Sequence, residues 1–147
     1  MSHVRTQIRD AVAGLLTSVS PVIGPALKSR TWPIAETSLP VTLVYTNAEG
    51  IDVGEGDGFD VYDRVLQVVI EPVVQNPDDV DTVLDDQIAA VETALGNDIG
   101  LGGLVLHCLL RAIEIIISTE GAQPIARARL TYEARYRTSF TDPTIVI

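Results

Sequence analysis

The sequence predicts an α+β domain: a mostly antiparallel β-sheet with two main helices packed on it, in the order α-β-β-β-α-β-β. Two stretches carry apolar residues at helical spacing, near residues 3–17 and 77–96. The long runs at 39–46, 61–74, 104–118 and 123–139 are rich in β-branched residues or alternate apolar with polar. A chain of 147 residues that is 46% hydrophobic can close one core, so residues 1–147 read as one domain.

Each element has a local reason. In the first helix Val4, Ile8, Ala11, Val12, Leu15 and Leu16 share a face, with Ser2 as the expected N-cap. Ser20-Pro21 and Gly24-Pro25 break it, and residues 26–33, with Leu27 and Trp32, suit a short strand. Residues 39–46 alternate Leu39, Val41, Leu43 and Tyr45 with polar neighbours, as a half-buried strand does, and Pro40 suits its start.

Residues 47–60 hold four glycines and five acids and are expected to form a long, flexible, exposed loop. In the strand that follows, Tyr62, Leu66, Val68, Ile70 and Val74 share a face, and Pro72 should mark where pairing ends or bulges. For the second helix, Asn76-Pro77 gives an N-cap and a first-turn proline. Asp78, Asp79 and Asp81 complement the dipole, and Gly96 closes the helix. Its buried stripe is Val80, Leu84, Ile88, Val91 and Leu95. Residues 104–118 and 123–139 then form a hairpin about residues 119–122. In its second strand Ala126, Ala128, Leu130, Tyr132, Ala134 and Tyr136 alternate with polar residues that include Arg127, Arg129, Arg135 and Arg137. Strands of about fourteen residues span roughly 45 Å, longer than the roughly 40 Å diameter of such a domain. The hairpin ends therefore ask for a partner.

The formal charge is −10, and it is unevenly placed. From Glu49 to Asp98 the chain carries −13, with Arg64 its one base, and the remainder carries +3. Such a balance argues against gripping DNA or an anionic membrane through net charge. A single cysteine, Cys108, excludes an intrachain disulfide framework, and its place between Leu106 and Leu110 makes it a small core residue. The N-terminal residues lack the apolar core of a signal peptide, and the longest apolar stretch is broken by His107, Arg111 and Glu114. Synthesis and retention in the cytoplasm are expected.

No catalytic signature stands out. Asp52, Glu55, Asp57, Asp60 and Asp63 lack the spacing of a calcium loop, and Asp78, Asp79, Asp81, Asp85 and Asp86 are explained by the helix N-terminus and its outer face. His107 and Cys108 would point to opposite faces of a strand, and His3 begins a helix, so no zinc or nucleophile–base set is implied. The arginine stripe has three readings: nucleic-acid contact, an ordinary solvent face, or pairing with acids on a neighbouring copy.

Taken in order, several segments resemble the tail terminator proteins of tailed bacteriophages, the minor tail protein U-like family. They are Val4-Arg5-x-x-Ile8-Arg9-x-x-Val12, Ser29-Arg30-x-Trp32-Pro33, Leu39-Pro40-x-x-Leu43-Val44-Tyr45 and Arg64-x-Leu66 with Ile70-Glu71. The helix Leu84-Asp85-Asp86-x-Ile88-Ala89-Ala90-Val91-Glu92 follows, then Glu114-Ile115 to Ser118-Thr119-Glu120-Gly121, and Leu130-Thr131-Tyr132-Glu133-x-Arg135-Tyr136. The resemblance implies a non-enzymatic virion protein without cofactor or metal, assembled in the host cytoplasm. Its homo-hexameric ring would cap the head-proximal end of the tail tube, stop tube polymerisation and offer a docking surface to the neck or connector. In contractile tails it would also meet the sheath protein, and DNA would pass through the lumen without specific binding. The expected interface residues are Glu49, Asp52, Glu55, Asp57 and Asp60 on the acidic loop, with Arg127, Arg129, Arg135 and Arg137. Another head–tail joining protein, such as a neck or completion subunit, and an acidic oligomeric enzyme or ligand-binding domain are the alternatives.

Overall fold

The opening helix, α1 (Val4–Val19), forms around Val4, Ile8, Val12 and Leu16, which recur every four residues and are fully buried. These coordinates come from a computed structural model, which describes residues 1–19, 26–27, 39–54, 60–119 and 123–147. His3, not Ser2, closes the helix start: its Nδ1 accepts the Arg5 N–H at 3.1 Å, and its carbonyl accepts the Thr6 N–H at 2.9 Å. The C-terminal residues lie against this end. Val4 N–H donates to the Pro143 carbonyl, and Gln7 Nε2 donates to the carbonyls of Ser2 and Thr144.

Five strands follow: β1 (Ala26–Leu27), β2 (Val41–Val53), β3 (Val61–Gln75), β4 (His107–Ser118) and β5 (Ile125–Ser139). Helix α2 (Val80–Gly96) separates β3 from β4. The predicted α+β order is therefore found, in one sheet ordered β1-β2-β3-β5-β4. All pairings are antiparallel except β1 with β2. Of the strand expected at 26–33 only Ala26–Leu27 is described, and the breaks at 20–25 and the turn at 120–122 lie outside the described residues.

Both helices lie on one face of the sheet, touch each other, and cover a core that includes Val44, Leu66, Val68, Ile70, Leu84, Val91 and Leu130. The alternation of β5 is as predicted, with Ala126, Ala128, Leu130, Tyr132, Ala134 and Tyr136 all buried. Cys108 is buried, and burial pushes its thiol up to about 12, which keeps it an inert core residue. Leu106, expected on the same face, is instead exposed, because residues 104–106 form a turn before β4 begins.

Three boundaries differ from the expectation. Residues 47–53, expected as loop, continue β2 and pair with β3 as far as Val53 opposite Tyr62. Glycine content hid a strand there, because long β3 supplies partners that local sequence does not reveal. Residues 41–44 are buried on both faces, so this half of β2 is not a half-buried strand. At α2 the N-cap is Asp79, whose side chain accepts the Thr82 N–H. Asn76 Oδ1 instead accepts the N–H groups of Asp78 and Asp79, forming a turn that precedes the helix. Pro72 neither ends the pairing nor makes a bulge: β3–β5 pairing skips Glu71 and Pro72 and resumes in unchanged register at Val73, while on the other side Thr42 stays opposite Pro72, because a missing N–H removes a ladder bond without shifting the strand.

The His3 cap has a pH consequence. Burial, then the charge of Arg5, lowers the His3 pKa from its ordinary 6.5, and protonation would abolish its acceptor role at Nδ1. Below that ordinary value the unfolded chain binds a proton that the folded chain resists, so stability should fall as pH drops from neutral to about 5. His3→Ser, which keeps a capping oxygen, should flatten that part of the profile in urea titrations at several pH values.

Candidate interaction surfaces and the buried charge cluster

The β2–β3 register slips by one residue between Thr46 and Ala48, leaving Asn47 as a β-bulge. A single inserted residue reverses which side chains face each side of a sheet. Before the bulge, Thr42, Val44 and Thr46 lie on the helix side, paired in register with Pro72, Ile70 and Val68. After it, Glu49, Ile51 and Val53 do, beside Leu66, Arg64 and Tyr62. The bulge thus carries Glu49, an expected loop residue, into the protein.

Glu49 there meets Arg64, their side chains only 5% and 9% exposed. Glu49 Oε1 accepts from Arg64 Nη1 at 2.9 Å and from Arg5 Nη1 of α1 at 3.3 Å, and Glu49 Oε2 accepts the Tyr136 hydroxyl. Arg64 Nε donates to Thr138 Oγ1 at 2.9 Å, and its guanidinium lies 5.4 Å from the Tyr62 ring centroid. Both carboxylate oxygens are satisfied, the condition under which a buried ion pair is tolerated. Burial, then the bond to Glu49, raises the Tyr136 pKa and keeps it a donor. One cluster therefore ties α1, β2, β3 and β5 together.

The face away from the helices carries a second set of charges. Glu71 is buried, and its Oε1 accepts from the Tyr45 hydroxyl and from Arg129 Nε at 2.9 Å. Arg129 also lies 3.8 Å from Glu114, Arg137 pairs with Asp63, and Arg111 pairs with Glu133 at 3.0 Å. Arg127, Arg129, Arg135 and Arg137 share this face through the β5 alternation, and Arg129 and Arg137 have acid partners within their own chain. Arg135 is exposed and forms no ion pair among the described residues. Asp52 and Asp60 are exposed, with Asp52 directly opposite Asp63; Glu55 and Asp57 lie outside the described residues. Arg64, Glu71, Tyr45 and Tyr136 were not singled out from sequence as site residues. The available signals were Arg64 as the one base in the acidic stretch and Glu71 inside the apolar run 68–74.

Both sheet edges are half covered. Ile99 accepts the Cys108 N–H at 2.7 Å and so caps the start of β4. Beyond the second bulge, at Arg111, residues 112–118 pair only inward, with β5, among the described residues. On the other edge β1 covers β2 only at Thr42 and Leu43, leaving residues 48–53 with a bare outer ladder among the described residues. Each bare half turns exposed apolar side chains to the helix side: Ile113, Ile115 and Ile117 on β4, Ile51 and Val53 on β2. A groove of about 350 Å³ runs beside the β2 half, lined by Arg5, Thr46, Asn47, Ala48, Glu49, Ile51 and Leu66. Among the described residues no three His, Cys, Asp or Glu side chains gather to hold a metal, and no helix is long and apolar enough to cross a membrane.

No family model matches the sequence, and no curated protein matches it. Among solved structures the chain is similar to one described as the virion of a native gene transfer agent (GTA) particle. The TM-score is 0.41 and the identity 12%, with 92% of each chain covered. A likeness at this level assigns neither family nor role, and the role has to follow from the residues themselves.

Two outcomes test the cluster. Glu49→Ala strands the Arg64 charge and should cost about 3–5 kcal/mol in urea unfolding, whereas the paired replacement Glu49→Leu with Arg64→Met should recover most of it. Burial raises the pKa of Tyr45, Tyr132 and Tyr136 above the ordinary 10.0. Above that value the unfolded chain loses protons the folded chain keeps, so stability should fall with rising alkalinity. Tyr136→Phe should blunt the fall, followed by thermal melts across alkaline buffers.

Proposed function

We propose that the protein is a structural subunit of a bacteriophage virion, a tail terminator whose homo-hexameric ring caps the head-proximal end of the tail tube. Its role is assembly, not catalysis: it stops tube polymerisation and presents a docking surface to the neck or connector. One observation carries this reading, the two half-edges of the sheet that are bare among the described residues. Natural proteins blunt such edges with prolines, lysines or covering segments. Residues 112–118 hold no proline or lysine, have no covering segment among the described residues, and read Ala-Ile-Glu-Ile-Ile-Ile-Ser.

The sequence resemblance to tail terminators supports the same reading. The charge pattern fits as well. A chain of net −10, with Arg129 and Arg137 of β5 paired to its own acids, offers passing DNA little to hold. Contact with the tube protein, the neck and, in contractile tails, the sheath belongs to this proposal.

Electron microscopy of particles made without the protein tests the role. Overlong tails unattached to heads are the expected outcome. Tails of normal length that fail to join heads would point instead to a neck or completion subunit, and unaltered particles would overturn a virion role altogether.

A further inference from the structure

We infer that the bare half of β4, residues 112–118, docks an extended basic segment of a different protein, which joins the sheet as a further strand and sets its lysines or arginines against the acidic flank of α2. The inference names a partner chemistry for the assembly role proposed above and rests on that role only for the existence of a partner.

The backbone supplies the first argument. Beyond the bulge at Arg111 the ladder of β4 is filled on the β5 side alone among the described residues. In an antiparallel strand every second residue turns both its N–H and its C=O outward, so this half offers about three such residues to a peptide. The side chains supply the second. Ile113, Ile115 and Ile117 stand opposite Leu130, Ala128 and Ala126 on the helix side. Those partners are fully buried, yet the isoleucines are 43%, 52% and 43% exposed. α2 packs over β3 and β5 and leaves them as an open apolar ledge along its flank.

Charge selects the occupant. From residue 65 to residue 110 the chain has no lysine or arginine. The exposed acids of α2, Asp81, Asp85, Asp86 and Glu92, form no ion pair among the described residues. The other face of the sheet differs, for there Arg129 meets Glu71 and Glu114, and Arg111 meets Glu133. The partial positive charge at a helix N-terminus, roughly half a unit, offsets only a fraction of four carboxylates.

The acids also stand in the right place. Asp81, Asp85 and Glu92 follow at intervals of four and seven residues and so share one flank of the helix. α1 lies on the β2 side of α2, so the flank turned to α1 is the covered one, with Val83 and Ala90 half-buried, and the exposed flank turns to β4. Burial, then the charge of Glu92, raises the Tyr132 pKa, which puts Glu92 near the tyrosine that pairs with Leu110 of β4. Seven and eleven residues back along the helix are roughly 10 and 17 Å, the length of about three and five strand residues. Asp85 and Asp81 therefore run alongside residues 113–117.

A lysine or arginine on the added strand lays its stem over an isoleucine and brings its charge to Asp81 or Asp85. Nucleic acid and anionic lipid are repelled by the same acids. A second copy of this chain is a poor fit, because its clustered bases lie on β5, a strand already paired on both sides by β3 and β4.

Hydrogen exchange of the isotope-labelled chain tests the inference, followed by NMR with and without a short peptide that alternates lysine with valine. Slower exchange at alternate amides of residues 112–118 is expected. It should be absent when glutamate replaces the lysines or proline replaces the valines of the peptide. Asp81→Asn combined with Asp85→Asn should weaken peptide binding about three- to tenfold at low salt, with protection of residues 112–118 kept at saturating peptide. Binding that shifts α2 resonances but leaves exchange at residues 112–118 unchanged is charge adhesion alone and overturns the proposal, as does equal binding of the glutamate peptide. Protection of the same amides that grows with protein concentration in the absence of peptide assigns the edge to a second copy and also overturns it. None of these outcomes alters what microscopy reads from tail length, so the two readings fall separately.

Discussion

The buried pair of Glu49 and Arg64 is the constraint on which the arrangement of this protein depends. Breaking a pair so deeply withdrawn from water leaves a charge with nowhere to go, so each neighbour must hold its place. Arg5 and Tyr136 complete Glu49, and Thr138 completes Arg64. Against an apolar pair of equal volume such a pair adds little net stability. Its larger effect is selective: only the register with a bulge at Asn47 brings Glu49 to the helix side, so any other register of β2 on β3 leaves Arg64 unmatched.

That selection separates the two faces of the sheet. The helix side is an apolar core with one charged cluster at its β2 end, and the other side is a lattice of cross-strand pairs, Glu71 with Arg129 and Asp63 with Arg137. The arginines that looked in sequence like a basic stripe are thus partly neutralised at home. What the fold leaves unfinished is the margin of the sheet. Two bulges, at Asn47 and Arg111, each begin a stretch of strand whose outer hydrogen bonds and apolar side chains have no partner among the described residues.

Much of the fold was legible in the residues. The four-residue spacing of α1, the stripe from Val80 to Leu95 and the strict alternation from Ala126 to Tyr136 each report a local period, and each element sits where its period says. The strand from Gly50 to Val53 was not legible, because glycine and acid content describe what a segment prefers alone, and β3 overrode that preference. Nor was the candidate site. Glu49 and Arg64 are fifteen residues apart and become partners only through the hairpin register. Tyr136 comes from another strand altogether, eighty-seven residues from Glu49.

The sequence by itself determined the fold class, the element order, the core faces of α1, α2 and β5, and the acidic middle of the chain. These follow from periodicity and composition, which act over a few residues at a time. Only the tertiary structure decided which charges are buried, which acids the arginines meet, and which halves of the sheet margins are bare. Those outcomes hang on two one-residue bulges and on pairing between distant strands, and a one-residue slip leaves composition untouched while turning every following side chain to the other face.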